Sequence, residues 1–215
     1  MPDGPRQPPI LDPPIRLAVC VSGGGTTFQN LVDRIADGRL RAEIVQVVAS
    51  KPGIGAIARA ERAGIPVAIE PRGKRPLEEY GTSVFDPIRK SAADLVILGG
   101  FLNLLPIPND YEGRVINIHP SLIPAFCGKG FHGRAVHQAA IDAGVKISGC
   151  TVHFADNTYD TGPIIFQIPV PVVSEDTAET LAARVFEAEC EVLPETIGLY
   201  AAGQIAIRGR RVLVG

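Results

Sequence analysis

The chain has 215 residues, 46% of them hydrophobic, with 21 basic against 23 acidic side chains and a formal net charge of −2. That is enough apolar material for a substantial core, which excludes a disordered or low-complexity chain. The near balance of charge, with no clustered Lys and Arg, excludes a nucleic-acid groove, and no apolar run reaches the ~20 residues of a membrane span.

Prolines at 2, 5, 8, 9, 13 and 14 and the lack of any hydrophobic period mark residues 1–15 as a flexible leader, with a single domain expected over 16–215. The start has no hydrophobic signal core. Cys20, Cys127, Cys150 and Cys190 form no CxxC pair, and His119, His132, His137 and His153 have no metal-ligand spacing. A cytoplasmic protein with free thiols and no metal is expected.

From residue 16 apolar runs alternate with helical periods. Leu17–Val21 reads as a buried strand, followed by a Ser22–Thr27 loop and a helix carrying Phe28, Leu31, Val32 and Ile35. Strands follow at 44–48, 67–69, 95–98 and 115–118, with helices at 54–63 and 77–90 between them. Strands apolar on both faces and alternating with helices predict an α/β fold, a Rossmann-like, mostly parallel sheet flanked by helices. After residue 145 the pattern changes to two runs, 145–154 and 164–173, joined by a polar turn, which predicts an antiparallel hairpin. A long helix follows, with Asp176 as N-cap, Glu179 at N3 and an apolar stripe of Leu181, Val185, Ala188 and Val192. Pro194 is expected to kink it, and 204–207 with 211–214 form a terminal hairpin.

Three places carry candidate chemistry. The loop Ser22-Gly23-Gly24-Gly25-Thr26-Thr27 lies between a strand and a helix, where backbone N–H groups at a helix start can receive an anion. The same loop also reads as a plain Gly-rich turn. It lacks the Lys-Ser/Thr of a P-loop, and Phe28 stands where a dinucleotide fingerprint needs a small residue. A small phosphorylated metabolite suits it better. Second, Asn117-Ile118-His119 ends a strand before Pro120, and the period of two places amide and imidazole on one face. That is either a turn-capping pair or the equipment to polarise a carbonyl and move a proton. Third come two acids: Asp160 in the hairpin turn, where bonding to its own turn is the simpler reading, and Glu189 at the edge of the long helix's apolar stripe. An inward carboxylate there needs an internal Arg or a ligand cation.

Together the Ser22–Thr27 loop, the Asp94–Leu105 segment, Asn117-Ile118-His119-Pro120-Ser121-Leu122-Ile123-Pro124, Gly149–Phe154, Asp160-Thr161-Gly162-Pro163 and the helix with Glu189 resemble the folate-dependent formyltransferases over about residues 16–214. The glycine loop and Glu189 narrow the resemblance to the members that act on phosphoribosylglycinamide (GAR). It implies a phosphate-binding half over about 16–115 and a folate and catalytic half over about 116–215. It implies 10-formyltetrahydrofolate as cosubstrate, GAR as acceptor, no metal, no nucleic acid or membrane partner, and a monomer or homodimer. It implies Asn117, His119 and Asp160 as catalytic residues, Gly25, Thr26 and Thr27 as the substrate-phosphate loop, and Glu189 for the substrate amine. Leu102, Asn103, Leu104 and Leu105, with Asp156, Asn157, Thr158 and Tyr159, match the folate walls. Thr26-Thr27 replaces a common Ser-Asn and Asn103 a common Arg; the 125–136 segment is longer than usual, and either His132 or His137 stands for the family's loop histidine.

The expected mechanism is direct attack of the amine on the formyl carbon. The Asn117 amide and a protonated His119 stabilise the oxyanion, and Asp160 raises the His119 pKa. Two alternatives stand beside it: a formyltetrahydrofolate deformylase, disfavoured by the short leader, and a non-catalytic folate- or phosphate-binding protein.

Overall fold

A computed structural model describes residues 10–215; the leader's residues 1–9 lie outside the described part. Within 10–215 the chain divides into two compact units, with the boundary between Ile116 and Asn117.

The first unit contains β1 (Ile15–Val21), α1 (Thr26–Ala36), β2 (Ala42–Ala49), α2 (Gly55–Arg62), β3 (Val67–Ile69), α3 (Leu77–Lys90) and β4 (Leu95–Leu98). The strands lie in the order β3-β2-β1-β4, all parallel. The expected alternation is therefore present, and the unbroken apolar runs have their cause: Leu17, Val19, Val21 and the intervening Ala18 and Cys20 are all buried. β1 begins two residues earlier than expected, because Ile15 is buried and pairs with Ala42. Phe28 and Leu31 of α1 face the interior, each contributing roughly 1.5–3 kcal/mol of burial. α3 tolerates Gly81 and Pro87. A side chain at 81 would press on the Pro106 ring, and Glu78 and Glu79 in the first turn with Arg89 and Lys90 in the last complement the helix dipole.

In a 3-2-1-4 strand order the chain reverses direction of winding between β1 and β4, and ligands of such sheets bind beyond the strand ends at that switch. The glycine loop leaves β1 there. Its Ser22 N–H donates to the Gly100 carbonyl beyond β4 at 3.1 Å.

Strand β5 (Val115–His119) carries the boundary. The second unit continues with α4 (Arg134–Asp142), β6 (Ile147–Phe154), β7 (Ile164–Pro171), α5 (Ala178–Ala201), β8 (Ile205–Arg208) and β9 (Arg211–Val214), in the order β5-β6-β7-β9-β8. β6 and β7 form the expected antiparallel hairpin, β8 and β9 a second one, and β9 joins β7 in parallel. Two glycines permit the first hairpin: a Cβ on Gly149 would run into the Ile168 carbonyl, and one on Gly162 into the Phe154 carbonyl.

α4 was not expected, and neither was a short 3-10 turn at Asn109–Tyr111. The cap of α5 also differs. Thr177, not Asp176, is the N-cap, and Thr180, not Glu179, completes the capping box at N3. Asp176 is drawn away by the Arg184 guanidinium, at 2.7 and 2.9 Å, and by the Val173 N–H at 2.9 Å. α5 runs through Pro194 as one helix. Among the described residues no helix is long and apolar enough to cross a membrane.

Candidate active site

In the first unit, the glycine loop is held from beneath. Gly25 adopts φ +76°, and a side chain there would meet Ala56 Cβ at 2.7 Å, so glycine is required by both torsion and contact. The Gly23 and Gly24 carbonyls turn toward α2, accepting from Ala56 N–H and from Arg59 Nε. No side chain caps α1, and with Gly25 buried and Thr26 exposed, its first N–H groups are left for solvent or an anion. Ser22 Oγ, accepting from Ser50 Oγ at 2.7 Å and Leu102 N at 3.0 Å, ties the loop to the 102–105 segment. In that segment Leu102 is exposed, Leu105 buried, and Asn103 Nδ2 donates to Tyr80 Oη at 3.0 Å. Burial pushes the Tyr80 hydroxyl up to about 12, so it remains a neutral partner.

In the second unit, β5, β6 and the β6–β7 turn bring four side chains together. His119 ends β5 and is buried; its Nε2 donates to the Phe126 carbonyl at 3.0 Å, and its Nδ1 lies 3.7 Å from Asp160 Oδ2. Asn117 Nδ2 donates to Asp160 Oδ1 at 3.3 Å and lies 3.0 Å from His153 Nε2. The Gly128 N–H donates to Asp160 Oδ2 at 2.8 Å. The Asn117–His119–Asp160 set expected from the motif is thus assembled. His153, which sequence reasoning passed over as one more residue of a strand, completes it.

The corner that follows β5 is locked by β6 and β7. Thr151 Oγ1 donates to the Ser121 carbonyl at 2.6 Å and accepts from the Ile123 N–H at 3.1 Å, and Gln167 Nε2 donates to the Ile123 carbonyl at 2.8 Å. Ser121 Oγ donates to the Ala125 carbonyl at 2.6 Å. These bonds carry the 121–126 turn over His119 and deliver the Phe126 carbonyl to its ring.

Asp160 holds φ +55°, a left-handed conformation that aspartate adopts more readily than most residues. Burial would raise its carboxyl, but its neighbours, the Gly128 N–H among them, hold it below the ordinary range, so it is an anion near neutral pH. For His119 the balance has the opposite outcome. Burial lowers the imidazole more than Asp160 and the Phe126 carbonyl raise it. Asp160, at 3.7 Å, does raise the imidazole as expected, and the net direction is set by burial. The Asn117 N–H donors are turned to Asp160 and His153.

Glu189 lies within the buried stripe of α5 (Leu181, Val185, Glu189, Val192), not at its edge, and Ala188 is the half-exposed neighbour. Burial pushes its carboxyl up to about 7. In the turn, Asp156 accepts from Thr158 N at 3.0 Å and from Thr161 Oγ1 at 2.8 Å, Asn157 and Thr158 are exposed, and Tyr159 is half-buried. His137 is a buried residue of α4, whereas His132 is exposed before it; His137 Nδ1 is an orphaned polar atom. Among the described residues no group of three or more His, Cys, Asp or Glu has the arrangement a metal ion needs.

Residues 15–197 match the family model described as Formyl transferase. The chain is 42% identical over 187 residues to the chloroplastic phosphoribosylglycinamide formyltransferase of Vigna unguiculata, covering 85% of this chain and 59% of that protein. It is 38% identical over 198 residues to the trifunctional purine biosynthetic protein adenosine-3 of Gallus gallus, covering 90% of this chain and 19% of the other. The chain therefore spans about three-fifths of the plant relative's length and a fifth of the avian one. Among solved structures, glycinamide ribonucleotide transformylase 1 of Symbiobacterium toebii superimposes with a TM-score of 0.85 at 35% identity, covering 93% of each chain. A family match over most of the sequence, on a fold that assembles the Asn117, His119 and Asp160 cluster of its motif, leaves one assignment: this chain belongs to the formyl transferase family.

Proposed function

We propose that the chain transfers the formyl group of 10-formyltetrahydrofolate to the amine of 5′-phosphoribosylglycinamide, giving the N-formyl product of de novo purine biosynthesis. The observation that carries this reading is the buried His119–Asp160 pair with Asn117 beside it, in a chain whose relatives bear the names of that activity.

The uncapped start of α1, at Gly25, Thr26 and Thr27, suits the substrate phosphate. Glu189 suits the glycinamide amine. The 102–105 segment and the 156–159 turn are the folate walls of this reading. The amine lone pair adds to the formyl carbon, the carbonyl becomes an oxyanion, and collapse breaks the bond to the folate nitrogen. The amine loses one proton and the folate nitrogen gains one, so the step balances without a metal. For the oxyanion the donor is His119 Nε2–H, which the formyl oxygen takes over from the Phe126 carbonyl. The proton that leaves the amine passes to the folate nitrogen by way of His119 Nδ1, and Asp160, facing Nδ1 as an anion, stabilises the imidazolium while it carries that proton. Holding both reactants in line contributes on the order of 7–11 kcal/mol at best.

The partners in this reading are small molecules, with the chain acting as monomer or homodimer. The compartment is the cytoplasm, in keeping with four free thiols among the described residues. The test is one incubation with both substrates, followed for formylated GAR, tetrahydrofolate and formate. Equal formation of the first two supports the reading. Formate without the formylated product makes the protein a deformylase, and folate binding with neither product makes it a binding protein. His119→Ala with undiminished turnover removes the proposed donor.

A further inference from the structure

Asn117 is placed between two groups that accept and do not donate. Asp160, held as a carboxylate, offers Oδ1 at 3.3 Å from Asn117 Nδ2. His153 offers Nε2 at 3.0 Å. The state of that nitrogen follows from the other side of the ring, where Nδ1 lies 2.8 Å from the Phe154 carbonyl oxygen. A carbonyl has no proton to give, so the shared proton is on Nδ1, and Nε2 presents its lone pair. The distance from Nε2 to Asp160 Oδ1 is 3.7 Å, beyond hydrogen-bond range, which leaves Asn117 as its partner. His153 is 1% exposed on β6, so water does not compete for that nitrogen.

We propose that His153 is a positioning residue whose tautomer, set by the Phe154 carbonyl, orients the Asn117 amide. Both N–H groups of that amide point to His153 and Asp160, and Oδ1 is the atom presented to the substrate. An oxygen there accepts an N–H of the attacking amine and aims its lone pair at the formyl carbon, while the oxyanion is served by His119. The wrong amide rotamer would set Oδ1 against two acceptors and turn a donor toward the amine. The kinetic consequence rests on the formyl-transfer reading; the orientation itself does not.

The experiment therefore has two arms. In the uniformly 15N-labelled full chain, near neutral pH and without substrates, His153 is expected to show a protonated Nδ1 and an unprotonated Nε2. A proton on Nε2 overturns the proposal. In steady-state formyl transfer, His153→Gln and His153→Asn are compared. Gln places an amide oxygen where Nε2 stood, whereas Asn reaches only the position of Nδ1. His153→Gln is expected to keep kcat within about 10-fold of the unaltered chain, and His153→Asn to lose about 100-fold, with KM for both substrates held within about twofold. Equal kcat for the two variants overturns the proposal, and so does a loss confined to KM. If the unaltered chain transfers no formyl group, the functional reading falls, and the ring's nitrogen shifts alone decide the proposal.

Discussion

Glu189→Gln separates the cost of a buried carboxylate from its use. Glu189 lies in the apolar stripe of α5, and burial alone pushes its carboxyl from the ordinary 4.5 to about 7. Below pH 4.5 the group is protonated in both folded and unfolded chains and has no effect on stability. Between 4.5 and about 7 the folded chain keeps a proton that the unfolded chain has released, so stability falls as pH rises through that window and is level above it. The window is about two and a half pH units wide and, at about 1.4 kcal/mol each, amounts to roughly 3–4 kcal/mol of destabilisation at alkaline pH. Gln cannot ionise and escapes this penalty. Its other effects, on packing and hydrogen bonding, are the same at every pH and cancel when two pH values are compared. Urea and thermal unfolding of both proteins at about pH 5 and about pH 8 should show Glu189→Gln gaining about 2–3 kcal/mol more at the higher pH, or about 5–10 °C in Tm. On the proposed reading, in which Glu189 meets the substrate amine, formyl transfer should fall at the same time, because Gln carries no charge. A stability increment equal at the two pH values would refute the reasoning, since it would mean that Glu189 ionises as easily folded as unfolded.

Asp160→Asn should lower kcat by about 100- to 10,000-fold with little change in either KM, measured by tetrahydrofolate release; the fold should survive, because Asn also adopts the positive φ that position 160 requires. Gly25→Ala forces the loop off Ala56 and out of its left-handed torsion, and the expected result is a KM for GAR raised at least about 10-fold with the folate KM unchanged. Gly162→Ala, whose new methyl would overlap the Phe154 carbonyl, should lose more than about 3 kcal/mol in urea unfolding or fail to fold. Gly23→Ala, with open space around it, is its control and should unfold within about 1 kcal/mol of the unaltered chain.

What sequence could and could not disclose follows the range of the forces involved. The strands of the first unit were legible because burial on both faces leaves unbroken apolar runs such as Leu17–Val21. The period of two puts Asn117 and His119 on one face and Asp160-Thr161-Gly162-Pro163 marks a turn, but that the three meet was legible only through the resemblance to the formyltransferase motif. α4 was not legible. Its N-cap is Gly133 at φ +54°, with no capping side chain and no acid in its first turn, and only Val136, His137 and Ala140 are buried along it. The cap of α5 was misread by one residue because the rule for Asp-x-x-Glu is local, while Arg184, eight positions on, competes for Asp176. His153 was hidden for a related reason. β6 is buried on both faces from Ser148 to Phe154, so no alternation separates a ring aimed at Asn117 from one aimed at the core. The charge of His119 depends on magnitudes, not on pattern. A carboxylate partner can be named from a motif, but its effect depends on a 3.7 Å separation and on how completely the 121–126 turn covers the ring. Those quantities are set by Thr151, Gln167 and Ser121 holding that turn in place. The same turn gives the Phe126 carbonyl to His119 Nε2 and the Gly128 N–H to Asp160 Oδ2. In the proposed transfer, a formyl oxygen that displaces the carbonyl removes one of these two bonds, and the bond from Gly128 still holds Asp160 toward Nδ1 while the ring carries the amine's proton.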